Sequence, residues 1–124
     1  FPLHLLRLVR DRGDRVTHGE LSVGRAVQRV TGELADYLGI DAGRLRVGDR
    51  ADLVVIDPTA LDDRVDEVTE VPMPGIAEVQ RLVNRGDGVV RTVLINGRTA
   101  WSDGVRADGF GERPGFGRVL RANR

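Results

Sequence analysis

Few residues in this chain combine the type and spacing that chemistry demands. His4 and His18 are the only histidines, and cysteine is absent. A zinc site needs three or four convergent ligands, and neither histidine lies in an H-x-H or H-E-x-x-H pattern. Both therefore read as surface or helix-packing residues. Without cysteine there is no disulfide framework, thiolate ligand or cysteine nucleophile. Asp62, Asp63, Asp66, Glu67 and Glu70 gather carboxylates of the kind calcium prefers. They lack the glycine and the spacing of an EF-hand loop and read as a solvated run. Asp52 and Asp57 flank an apolar run, where acid–base work competes with plain turn and strand-end hydrogen bonding. Hydrogen bonding suffices for both. Ser22 has no paired histidine and no G-x-S-x-G context, so helix capping accounts for it. Beyond Gly104 the glycine, arginine and phenylalanine content would suit a single-stranded nucleic acid, a case that Asp108 and Glu112 weaken. No residue is assigned a catalytic, cofactor-binding or metal-ligating role.

Composition narrows the classes further. A chain of 124 residues, 40% of them hydrophobic, supports one core. Lysine is absent, and 19 arginines offset 19 acidic residues. The zero net charge removes any whole-chain argument for nucleic acid or membrane. No apolar run approaches the roughly 20 residues of a membrane helix, and no signal peptide is visible, so the expected setting is cytoplasmic. The sole methionine is Met73 and the chain opens on Phe1-Pro2. That points to a piece of a longer product.

The elements that would position these residues follow from periodicity. Pro2 suits a first helical turn, and Leu3, Leu5, Leu6, Leu8 and Val9 recur at helical spacing up to a stop at Arg12-Gly13. Ser22 caps a second helix with an apolar stripe of Val23, Ala26, Val27 and Val30, interrupted at Thr31-Gly32. A third helix over 33–38 is expected to bury Leu34, Ala35 and Leu38 and to end at Gly39. Residues 53–56 are continuously apolar and read as a strand covered on both faces, ended by Asp57-Pro58. Residues 58–75 read as an acidic surface excursion. Ile76, Val79, Gln80, Leu82 and Val83 favour a short amphipathic helix over a strand. The cluster 85–88 reads as a turn. Two β-rich runs, 89–95 and 98–101, flank Asn96-Gly97, the strongest short-range hairpin signal there is. Trp101 is expected to anchor that hairpin's core, with another turn at Ser102-Asp103-Gly104. Three or four strands after three helices make an α+β pattern with exposed sheet edges. A small apolar patch, Phe116, Val119 and Leu120, marks the tail.

The order of these residues resembles a known family. The helix with Ser22, Ala26-Val27 and Val30-Thr31 comes first, then Ala35 and Leu38-Gly39. Gly43-x-Leu45-x-x-Gly48-x-x-Ala51-Asp52-Leu53-Val54-Val55-Ile56-Asp57 follows, and later Val93-x-Ile95-Asn96-Gly97 and Gly104. Together they resemble the C-terminal end of a metal-dependent amidohydrolase, of the D-aminoacylase or N-acyl-D-amino-acid deacylase type. The opening Phe1-Pro2 and Leu6 and the closing Gly117-Arg118-Val119-Leu120-Arg121 also fit. The stretches 58–75 and 76–88 match least.

The resemblance implies an architecture and a chemistry. Residues 1–42 would be the last helices of a (β/α)8 barrel, and 43–104 the C-terminal share of a small β-sandwich, interrupted by the excursion 58–88. Residues 105–124 would be a tail packed back on the barrel. Such enzymes hold one or two divalent metals, usually zinc, through histidines, a carboxylate and sometimes a cysteine or carbamylated lysine. The metal lowers the pKa of a bound water, and an aspartate assists attack on an amide carbonyl. No position here matches those ligands, so zinc belongs to the full-length enzyme and this piece alone is expected to be inactive. Expected partners are the upstream part of the same protein and further copies of the piece, not nucleic acid or membrane. Two rival readings stay open: a non-catalytic amidohydrolase-like module, and a nucleic-acid module acting through the tail.

Overall fold

The computed structural model describes residues 2–16, 21–73, 75–76, 78–84 and 88–122. His18 and residues 85–87 of the expected turn lie outside that set. Three helices come first, α1 (Pro2–Val16), α2 (Val23–Val30) and α3 (Gly32–Leu38). Six strands follow: β1 (Leu53–Ile56), β2 (Thr69–Pro72), β3 (Gln80–Val83), β4 (Val90–Ile95), β5 (Arg98–Ser102) and β6 (Val105–Arg106). The α+β order is as expected, but the strands are more numerous than three or four and fall into two sheets. One is antiparallel in the order β1-β4-β5-β6; the other is the isolated pair β2-β3.

Local chemistry explains the element ends. Ser22 Oγ accepts from Arg25 N at 3.2 Å and caps α2, using one of the N–H groups a helix start leaves orphaned. Thr31 joins α2 to α3, its hydroxyl donating to Val27 O at 2.8 Å. Gly39 closes α3 in the left-handed conformation. The first helix runs three residues past the expected stop at Gly13, since an interior glycine costs only about 1 kcal/mol and does not end a helix. Asn96 and Gly97 have φ of 52° and 78°, the two positive values a type I′ turn requires. Asp103 and Gly104 repeat the device at 45° and 89°, turning β5 into β6.

The core lies between the helices and the start of the main sheet. Leu6, Val9, Ala26, Leu61, Val65 and Val89 are buried together, with Leu3, Leu5, Leu21, Ile56 and Ala60 packed around them. Leu61 and Val65 come from the stretch read as a surface excursion. Two 3-10 turns, Pro58–Ala60 and Asp63–Asp66, fold it inward, so its acids face water while two of its apolar residues fill the core.

Several burial expectations fail. Of the stripes on α2 and α3, only Ala26 and Ala35 are buried; Val23, Val27, Leu34 and Leu38 are exposed. Strand β1 is not covered on both faces: Val54 and Val55 are 56% and 49% exposed. It is an edge strand whose ladder partner among the described elements is β4, and only its end, at Ile56, packs against the core. Trp101 is half-buried, and its neighbour Ala100 takes the buried position of β5 instead. The helix expected from Ile76 to Val83 gives way to a strand in its second half: Gln80–Val83 pairs with Thr69–Pro72, Glu70 opposite Leu82 and Val71 opposite Arg81.

Candidate functional site

The side chains of His4, Arg7 and Asp66 meet where α1 crosses the second 3-10 turn. His4 and Arg7 lie one helical turn apart, the spacing that puts two side chains on one face. The turn capped by Asp62 delivers Asp66 to that face. His4 Nδ1 and Arg7 Nη1 each hydrogen-bond one oxygen of the Asp66 carboxylate. Arg7 Nε also reaches Asp11 at 3.5 Å. The His4 bond, with the Arg7 charge behind it, holds the Asp66 carboxyl below the usual carboxylate range.

Two open clefts flank the cluster. One, about 290 Å³, is lined by His4, Arg7, Leu8, Asp11, Arg12 and Asp66. The other, about 530 Å³, is lined by Pro2, Leu3, His4, Val65, Asp66 and Asn84. Histidine and carboxylate are both half in water, and neither cleft presents a hydroxyl or thiol for them to activate. What the arrangement does is tie the first helix to a turn sixty-two residues away.

The residues do not fit a zinc centre. Among the described residues no group of three His, Cys, Asp or Glu side chains converges as metal ligands would. The other acids of the 62–70 run are occupied locally or exposed. Asp62 caps the second 3-10 turn and pairs with Arg64, whose hydrogen bond lowers its pKa. Asp63, Glu67 and Glu70 are exposed. No metal-assisted step is derived for this chain.

Asp57 and Asp52 do the strand-end work expected of them. Asp57 Oδ1 accepts from Thr59 N at 2.8 Å and Thr59 Oγ1 at 2.7 Å, and these bonds lower its pKa. Asp52 Oδ1 accepts from Asn96 N at 2.7 Å, fastening the start of β1 to the β4–β5 turn, while Gly97 N donates to Ala51 O at 2.8 Å. Burial raises the Asp52 pKa, but the Arg50 and Asn96 hydrogen bonds outweigh it and leave the group lowered. Arg50 donates through Nε to Asp52, its side chain is 7% exposed, and its Nη1 is buried without a partner.

The tail closes on β5. Arg98 stacks over Phe116 at 4.4 Å, its Nη1 donates to Gly115 O at 2.9 Å, and Phe110 meets Phe116 edge-on at 5.1 Å. Both aromatics of the tail thus make intramolecular contacts, Phe116 with Arg98 and Phe110 with Phe116. Sequence reasoning missed Arg7 and Arg50. The His4–Arg7 spacing was visible in the chain; the arrival of Asp66 was not.

No helix is long and apolar enough to cross a membrane, among the described residues. No solved structure matches the chain. It is similar to uncharacterised proteins of Mycobacterium bovis and of two strains of Mycobacterium tuberculosis, each 45% identical over 126 residues. The match takes in 98% of this chain but 20% of each relative, so the chain spans about a fifth of their length. Residues 5–100 match the model of the amidohydrolase family. That span holds α1 from Leu5 onward, α2, α3, both sheets as far as Ala100 and the whole Gly43–Asp57 motif, and the chain belongs to the amidohydrolase family.

Proposed function

We propose that these residues are a scaffold portion of a longer, metal-dependent amidohydrolase that hydrolyses the C–N bond of N-acyl amino acids or related amides. The observation that carries the reading is the family match over residues 5–100 in a chain spanning a fifth of its relatives. The D-aminoacylase or N-acyl-D-amino-acid deacylase type rests on the Gly43–Asp57 motif with its later Asn96-Gly97 hairpin. On this reading the metal ligands and the catalytic aspartate lie on other residues of the polypeptide. α1 to α3 belong to the outer helices of a barrel, and β1 with β4 to β6 to a sandwich. The exposed apolar residues of α2, α3 and β1 support it, because they are the surface a surrounding protein would cover.

The test compares the longer protein with these 124 residues. Release of free amino acid from N-acetyl-D-amino acids, together with bound zinc, is expected from the longer protein and from it alone. Hydrolysis or stoichiometric zinc with the 124 residues, or a longer protein inert towards every N-acyl amino acid offered, overturns the proposal.

A further inference from the structure

The β2–β3 pair stands apart from the rest of the fold. Its strands hydrogen-bond only to each other, and among the described elements neither packs against another helix or strand. A lone two-stranded ribbon is at best marginally stable in water. A tie to the core lies at its base, where Asn84 Nδ2 donates to the carbonyl of the buried Val65. Further out, Gly75 and Glu78 take positive φ, and Met73 N donates to Val79 O at 2.9 Å, so the chain reverses tightly.

The composition of this arm is the second observation. Val68, Met73, Ile76, Val79 and Leu82 are all exposed large apolar residues. Scattered apolar residues need no explanation, but five on one arm that packs against no other described element leave apolar area open to cover. The charges present, Glu70, Glu78 and Arg81, are few and mixed, so the matching surface is apolar rather than strongly charged.

We infer that the β2–β3 ribbon is a docking arm that seats on an apolar surface elsewhere in the same, longer polypeptide. The inference rests on the reading of these residues as part of a larger amidohydrolase. The length of the relatives selects the occupant: four-fifths of each lies outside the aligned region. A surface on the same chain is present at high effective concentration, whereas a second copy must be recruited from solution.

Hydrogen–deuterium exchange on the longer protein tests this. Docking predicts that amides of 69–72 and 80–83 exchange within about tenfold of those of β4 and β5, at a rate independent of protein concentration. Leu82→Asp should raise exchange of the ribbon about a hundredfold and leave β4 and β5 unchanged. Ribbon amides exchanging near the rate of an unstructured peptide in the unsubstituted protein overturn the inference. So does protection that disappears on dilution as the sedimenting mass falls, which would assign the arm to a second copy. Failure of the larger reading shows separately, as a reading frame no longer than this chain or a longer protein without amide hydrolysis.

Discussion

Replacing the two glycines of the motif one at a time separates a steric contact from a backbone preference. Gly43 and Gly48 have φ of 76° and 93°, so alanine at either costs about 1–2 kcal/mol for the left-handed backbone alone. Their surroundings differ. A Cβ on Gly43 would stand 2.6 Å from the Thr31 carbonyl carbon, 2.7 Å from its oxygen and 2.9 Å from Gly32 N. All three are backbone atoms at the α2–α3 junction, so no rotamer change relieves the clash. A Cβ on Gly48 would meet nothing within 4 Å. Forcing a methyl group into packed backbone adds about 1–3 kcal/mol, so Gly43→Ala should cost about 2–5 kcal/mol in total and Gly48→Ala about 1–2. Urea unfolding followed by circular dichroism reads both differences directly. Equal costs, within about 0.5 kcal/mol, would refute the close approach of Gly43 to the helix junction.

Three further outcomes follow from the carboxylates. Asp52→Ala removes the acceptor of Asn96 N and the partner of Arg50; since Asp52 is 37% exposed and water replaces part of the loss, the cost should be about 1–2 kcal/mol. Arg50→Met should be cheaper in the Asp52→Ala background than alone, because the buried guanidinium is then already unpaired; strict additivity in a double-mutant cycle would refute the coupling. Asp11, Asp52, Asp57, Asp62 and Asp66 all titrate below the ordinary 3.8 in the folded state. A lowered folded value means the stabilisation is complete above the unfolded value and lost as pH falls through the folded one. The melting temperature should therefore hold between about pH 7 and 5 and drop below about 3.8, and a midpoint of loss above pH 5 would contradict it.

The sequence was most legible where a residue acts on its immediate neighbours. Ser22 as a cap, Gly39 as a helix end, Asp57 before Pro58, and Asn96-Gly97 as a hairpin turn each depend on a few consecutive residues, and each is present. Strand β1 was legible as a strand but not in its exposure, because burial depends on which strand lies beside it and what covers the sheet. Ile76, Val79, Leu82 and Val83 fit a helical face in one dimension; pairing with 69–72 overrides that periodicity. Leu61 and Val65 were hidden among acids, although a short 3-10 turn can present one side chain inward and its neighbours outward. The His4–Asp66 bond spans sixty-two residues and leaves no local trace. The Gly43–Asp57 motif lies inside the span matched to the family, and it carries turns and a strand rather than reactive groups.

The clasp formed by Arg98 with Phe116 and Gly115 ties the last stretch of chain back to β5 across an irregular segment. Because β5 is itself held by the backbone ladders to β4 and β6, truncating the Arg98 side chain would loosen the tail and leave the hairpin paired.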